Sequence, residues 1–287
     1  MYIILGKNGY IAEAIIKELK SRDLPHVAWS RSDVDYTNKN DLYFNILKSV
    51  DSLQDVILVN CAGYIGKPNV DACELAKADC IEGNVVFPKM LAEFCVDKPC
   101  KLVHISSGCI YGGYEKDFTE EDIPNFDFQT GSFYSGTKAL AEKLVLSTNP
   151  NKSYVFRLRI PFDNISSPRN YITKLLNYNS LLDARNSISH RGDFAQYCID
   201  LIEQRVPSGI YNITNKGSVT TKEVTEMINE YLPGYHKDFK FFSNLDKFMS
   251  EVTAPRSNCV LDTTKIEKYI DIRTAREALK SSLINYK

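Results

Sequence analysis

The stretch Tyr2-Ile3-Ile4-Leu5-Gly6-Lys7-Asn8-Gly9-Tyr10-Ile11-Ala12 decides how the fold is read. A short apolar run ends on a glycine, a second glycine follows three positions later, and a helix-like stretch begins at once over 11–20. A strand that turns directly into a helix aims the first free amides of that helix beyond the strand's carboxyl end. Glycine lacks the Cβ that would keep a pyrophosphate away from the backbone. Gly6, Lys7, Asn8, Gly9, Tyr10 and Ile11 are therefore expected to cradle a dinucleotide. The alternative is a tight turn that only packs a helix on a strand.

The same alternation continues along the chain. Strands are expected at 2–5, 26–29, 56–60, 101–106 and 154–159, and helices at 11–20, 39–50, 70–80, 85–95 and 135–146. Such β-α repetition gives parallel strands joined by right-handed crossovers. The expected class is α/β: a Rossmann-type doubly wound parallel sheet whose ligands lie beyond the carboxyl ends of the strands. After residue 160 the pattern loosens, punctuated by Pro161, Pro168, Pro207 and Pro255. Helical stretches at 171–178, 194–204, 221–231 and 274–283 alternate there with short strands such as 210–213. Residues 1–160 read as the dinucleotide-binding domain. Residues 161–287 read as a smaller C-terminal substrate lobe, interleaved with returns to the sheet.

At 287 residues the chain is long enough to bury a full core without disulfides or metals. A formal net charge of -1 argues against a nucleic-acid partner, so an anionic ligand has to be held by local donors. The apolar start is too short for a signal-peptide core and no later run is long enough to span a membrane, so a cytoplasmic chain without a membrane partner is expected. None of the eight cysteines forms a C-x-x-C pair and the four histidines have no ligand spacing, so no metal site is expected. His104 reads as a hydrogen-bonded core residue.

Cofactor choice is decided at the end of the second strand, in Trp29-Ser30-Arg31-Ser32-Asp33. A carboxylate first in that place would hold the ribose diol of NAD, whereas Ser30 and Arg31 suit the 2′-phosphate of NADPH. An exposed loop arginine is the alternative. The third strand ends in Cys61, Ala62 and Gly63, small residues along which a cofactor can lie. The fourth ends in Ser106-Ser107-Gly108-Cys109, which puts the Ser107 hydroxyl at the ligand edge. Tyr134 and Lys138, four residues apart, share one helix face. A tyrosine of pKa near 10 next to a cation is a tunable proton donor. The order glycine loop, serine, tyrosine–lysine is what carries the reading of one reductase centre.

With these motifs the chain resembles the extended short-chain dehydrogenase/reductases, whose glycine loop reads G-x-x-G-x-x-A as here. Within them it is similar to the nucleotide-rhamnose branch related to dTDP-4-dehydrorhamnose reductase, and above all to the bifunctional 3,5-epimerase/4-reductases of UDP-rhamnose synthesis. The segments carrying the likeness are 6–12, 66–71 (Gly66-Lys67-Pro68-Asn69-Val70-Asp71), 108–110, 131–135, 167–174 and 254–258. The resemblance implies that Ser107 holds the carbon-4 carbonyl oxygen of a ketosugar while Tyr134 protonates it. It also implies that Lys138 depresses the Tyr134 pKa and holds the nicotinamide ribose, and that Asn84 packs near the site.

Inverting carbons 3 and 5 needs a further acid–base pair, and the resemblance supplies Cys109 and Lys174. A buried structural cysteine and a diphosphate-binding lysine are the alternatives. Arg169, Asn170 and Arg256 are expected to hold the sugar nucleotide, unless they form interdomain ion pairs. The likeness further implies a UDP-4-keto-6-deoxyglucose substrate delivered by a separate 4,6-dehydratase, and a homodimer. A 4-reductase acting alone on a dTDP- or UDP-4-ketosugar, a 4-epimerase with tightly held NAD and a non-catalytic NADP-binding regulatory subunit are the competing readings.

Overall fold

A computed structural model describes residues 1–67 and 69–287, so Pro68 of the 66–71 motif lies outside the described residues. Strands β1 (Tyr2–Leu5), β2 (His26–Trp29), β3 (Val56–Asn60), β4 (Cys100–Ser107) and β5 (Ser153–Leu158) alternate with helices α1 (Tyr10–Ser21), α2 (Lys39–Lys48), α3 (Lys77–Ile81), α4 (Phe87–Val96) and α5 (Phe133–Thr148). There follow β6 (Pro161–Phe162), α6 (Tyr171–Asn177), β7 (Arg185–Asn186), β8 (Ser189–His190), α7 (Arg191–Glu203), β9 (Gly209–Asn212), β10 (Val219–Thr220), α8 (Thr221–Tyr231), α9 (Leu245–Met249) and α10 (Ala275–Ile284). One sheet has six strands in the order β2-β1-β3-β4-β5-β9, all parallel. The order reverses between β1 and β3, the switch point where such sheets bind ligands.

Continuous apolar strands suit a sheet covered on both faces. The two-residue strand period deals their side chains to two separate cores. Tyr2, Ile4, Ile57, Val59, Tyr154 and Phe156 pack with α1 and α7 on one face. Ile3, Leu5, Val56, Leu58 and Val155 pack with α2 and α4 on the other. A third core, including Phe162, Ile172, Leu175, Val224 and Leu279, joins α6, α8 and α10 beside the sheet.

The helix expected over 70–80 is instead a 3-10 turn, Val70–Glu74, followed by α3. Asn69 caps the turn through the Asp71 amide, and Asp71 is itself held by Arg256 and the Ala254 amide. These ties fix the first turn in its own orientation. The helix expected over 85–95 begins earlier, through a π turn at Glu82–Val86.

Helix α5 is locked to the sheet by charge. The Arg157 guanidinium meets Glu142 at 2.6 Å with both side chains almost fully buried, and Ser106 Oγ donates to the same carboxylate. Removing one partner strands a buried charge. Glu142→Ala is expected to cost about 3–5 kcal/mol of stability, read by chemical denaturation.

Candidate active site

Gly6 closes β1 with φ +89°, and a Cβ there would lie 2.8 Å from Ala62 N and 2.9 Å from Ala62 Cα. The phosphate loop and the turn at 61–63 thus meet backbone to backbone. Gly9 caps α1 without a side-chain hydrogen bond, so the opening amides of that helix face the cleft uncapped. The residues present fit a dinucleotide on this ground: the cradle is one that side chains would fill. Tyr36 props it, accepting from Gly6 N at 2.9 Å and donating to Trp29 O at 2.6 Å.

Lys7 and Ser30 are less free than the sequence reading expects. Asp33 accepts from Ser30 N at 2.7 Å and Ser30 Oγ at 2.6 Å, and pairs with Lys7 Nζ at 2.8 Å. The Lys7 and Ser30 hydrogen bonds hold its carboxyl well below the usual range. Arg31 is exposed beside this knot, and it is one of the charges acting on the buried Tyr36 phenol. Asn8 is exposed at the loop tip, and Ile11 packs into the core. The Tyr10 side chain is engaged by the C-terminal half of the chain: its hydroxyl donates to Asp163 at 3.0 Å and its ring lies 4.2 Å from the Arg191 guanidinium carbon. Burial pushes the Cys61 thiol up to about 12.

At the end of β4, Ser107 Oγ accepts from the Cys109 amide at 3.2 Å. The Cys109 thiol lies near the Ser107 and Ser135 hydroxyls, which favour its thiolate, although burial pushes its pKa up overall. Tyr134, on the first turn of α5, lies close to Cys109, Cys73 and Cys80, and burial holds its phenol well above the ordinary value. The fold therefore brings Ser107, Cys109 and Tyr134 together, with Lys138 one turn along.

Burial dominates the Tyr134 phenol, while Lys138 is engaged by β4. Its Nζ donates to Ile105 O at 2.9 Å and faces His104 Nε2 at 3.4 Å, while burial lowers its own pKa. A tyrosine kept neutral is in the form that gives a proton to a carbonyl oxygen.

Two expected substrate ligands are struts instead. Asn84 sits in the π turn, where its Oδ1 accepts from Tyr64 N at 2.7 Å and its Nδ2 donates to Tyr64 O at 2.8 Å and Thr137 Oγ1 at 3.1 Å. Asn170 is fully buried. It caps α6 through the Ile172 amide at 2.9 Å and donates to Asp163 O at 2.9 Å and Ile165 O at 2.8 Å. Both amides are engaged in holding backbone segments, as buried polar groups are.

Arg256 grips Asp71 through both nitrogens, at 2.7 and 2.9 Å. It also acts with exposed Arg169 on Lys174, whose pKa is lowered by burial first and by these two cations second. Lys174, Arg169 and Arg256 thus form one positive cluster. No hydrogen bond or ion pair among the described residues links Lys174 to Cys109.

The model of the RmlD substrate binding domain matches residues 1–287. The chain belongs to the RmlD family. This RmlD-family chain is 32% identical, over 97% of its length and 90% of the relative's, to a bifunctional dTDP-4-dehydrorhamnose 3,5-epimerase/dTDP-4-dehydrorhamnose reductase of Arabidopsis thaliana. It is 31% identical, over 99% of its length, to a trifunctional UDP-glucose 4,6-dehydratase/UDP-4-keto-6-deoxy-D-glucose 3,5-epimerase/UDP-4-keto-L-rhamnose-reductase of the same plant, but spans only 41% of that protein. Among solved structures, a UDP-rhamnose synthase of Acanthamoeba polyphaga mimivirus superposes with a TM-score of 0.88 at 24% identity, covering 99% of this chain and 98% of the other. A dTDP-4-dehydrorhamnose reductase of Bacillus anthracis, solved in complex with NADP, superposes with a TM-score of 0.82 at 18% identity, over 99% and 98%.

Sequence reasoning missed the residues that organise this RmlD-family site from behind. Asp163 joins Tyr10 of the phosphate loop to Asn170 at the start of α6, and pairs with Arg191 at 2.8 Å. Arg159 donates to Ser257 Oγ at 3.0 Å, next to Arg256, and the following Ile160 has φ +42°. A β-branched residue in that region is strained. No spacing rule signals these residues, because their contacts follow neither the helix nor the strand period. Among the described residues no helix is long and apolar enough to cross a membrane, and no cluster of three metal-ligating side chains is present.

Proposed function

We propose that this chain is an NADPH-dependent 3,5-epimerase/4-reductase that converts UDP-4-keto-6-deoxyglucose, supplied by a separate 4,6-dehydratase, to UDP-rhamnose. The coarser reading, a nicotinamide-dependent reductase of sugar nucleotides, is supported by the family and by the gathering of Ser107, Tyr134 and Lys138 at the ligand edge of the sheet. NADPH would supply the hydride; Gly6, Gly9 and the opening of α1 would hold its diphosphate, and Arg31 its 2′-phosphate. Ser107 would steady the ketone oxygen and Tyr134 would deliver the proton.

One observation carries the epimerase half: Cys109 lies beside Ser107, Ser135 and Tyr134, so a second proton-handling group lies inside the reductase centre. The environments separate the roles. Burial raises Cys109 and keeps it a thiol, an acid; burial and two cations lower Lys174 and favour its amine, a base. Protons on carbons 3 and 5 are acidic because both flank the ketone. The enolate formed by their loss would be stabilised by Ser107 and Tyr134. The smaller lobe would hold the nucleotide diphosphate with exposed Arg169, while Arg256 is engaged by Asp71.

A 4-reductase acting alone, with Cys109 as a buried structural thiol, is the other reading. The two readings divide on Cys109→Ala. That variant is expected to lose solvent deuterium exchange at carbons 3 and 5 while still reducing a ketosugar that is already epimerised. Unchanged exchange in the variant would assign the proton transfer to another group, and no exchange in the wild-type protein would leave reduction alone.

A further inference from the structure

Behind the catalytic face, a chain of buried polar groups runs from the cofactor shelf to Lys138. Asn60 Oδ1 accepts from the Ala62 amide at 3.0 Å. A backbone N–H is always a donor, so this contact fixes which end of the Asn60 carboxamide is oxygen. Its Nδ2 then points at His104 Nδ1, 3.2 Å away, and has to donate. His104 is fully buried, and burial with the nearby Lys138 holds its pKa well below the ordinary value. A neutral imidazole carries one proton. With Nδ1 accepting, that proton sits on Nε2, which faces Lys138 Nζ at 3.4 Å.

We propose that Asn60 and His104 are positioning residues that act through Lys138: the Ala62 amide orients Asn60, Asn60 selects the Nε2–H form of His104, and that N–H is presented to Lys138 Nζ. An amine at Nζ satisfies both neighbours, donating to Ile105 O at 2.9 Å and accepting from His104. An ammonium would meet His104 donor to donor. The network therefore destabilises the charged form of Lys138 and makes its charge conditional on pH. The other titratable groups acting on Lys138 are Cys109, Glu142 and Cys80, all favouring the cation, and burial opposes them. Tyr134 shares its helix face one turn earlier.

This inference rests on the reductase reading for its kinetic consequence only. Reduction needs the ammonium to steady the Tyr134 phenolate as it forms. Activity then falls as pH rises through the pKa of Lys138, and anything that lowers this pKa brings the fall to lower pH. Tyr134 itself is held protonated, so the alkaline limb of kcat/KM reports Lys138.

Asn60→Asp is nearly isosteric and keeps an acceptor for the Ala62 amide. It also requires His104 to donate from Nδ1, which turns Nε2 into an acceptor facing Lys138. The test is heteronuclear NMR of the protein with nitrogen-labelled histidine, without cofactor or substrate, joined to pH profiles of ketosugar reduction. In the wild-type protein the His104 signal, assigned by its loss in His104→Gln, is expected to show a protonated Nε2 and a bare Nδ1. Asn60→Asp is expected to reverse that tautomer and move the alkaline limb up by about one unit. A wild-type His104 protonated on Nδ1, or on both nitrogens, overturns the proposal even if the variant does not fold. A reversed tautomer with an unmoved limb overturns its link to Lys138. Absence of turnover with the Nε2–H form present counts against the reductase reading and supports the network.

Discussion

Tyr134→Phe is expected to lower kcat for ketosugar reduction by about 10²–10⁴-fold while leaving NADPH affinity unchanged. The phenol sits on the first turn of α5, against Cys109, and burial keeps it neutral. Phenylalanine retains the ring and its packing but removes the one group placed to give a proton to the ketone oxygen. Ser107 remains as a hydrogen-bond partner, so residual turnover is expected rather than none. Stopped-flow oxidation of NADPH and a separate binding titration separate the two effects. Full activity in the variant would assign the proton to another group, whereas NADPH binding without reduction by the wild-type protein would move the chain to the cofactor-binding regulatory class.

The second large effect is expected at Gly6→Ala, through geometry rather than chemistry. An alanine there has to hold φ +89°, a conformation that costs about 1–3 kcal/mol for a residue with a side chain. Its Cβ would also lie 2.8 Å from Ala62 N, which is backbone and cannot swing aside. The loop then has to lift off the turn at 61–63, and the two walls of the cofactor cradle part. NADPH Kd is expected to weaken by at least about tenfold, measured by quenching of intrinsic fluorescence. Tight NADPH binding by this variant would show that the cradle is not where the diphosphate lies.

The sheet was legible because its signal is local. Each strand is an apolar run of the right length and each crossover begins at its carboxyl end, so the period of the pattern names the element. The six-strand parallel sheet follows, and β9 joins it at the edge beside β5. The residues proposed for the reductase centre stand out in the sequence for the same reason: Ser107 ends a strand, and Tyr134 and Lys138 are one helical turn apart. Local pattern fails where a side chain's partner follows neither the helix nor the strand period. Asn170 reads as a polar lobe residue in a substrate segment, yet Asp163 and Ile165 use up its amide. Asn84 reads as a site residue, yet a π turn that no propensity announces directs it to Tyr64. Lys138 reads as the cation beside a tyrosine, and only the structure reveals His104 and Ile105 competing for its Nζ. Arg256 was legible as a conspicuous arginine, but not its grip on Asp71 across the cleft.

The central claim, epimerisation and reduction in one centre, is tested most directly in deuterated water. Purified protein is mixed with NADPH and UDP-4-keto-6-deoxyglucose, oxidation is followed by absorbance, and deuterium in the product is placed by NMR and mass spectrometry. The account predicts NADPH consumption with solvent deuterium at carbons 3 and 5 of a rhamnose product. NADPH consumption with no label at either carbon would contradict it, leaving a plain 4-reductase with Cys109 and Lys174 as packing and binding residues.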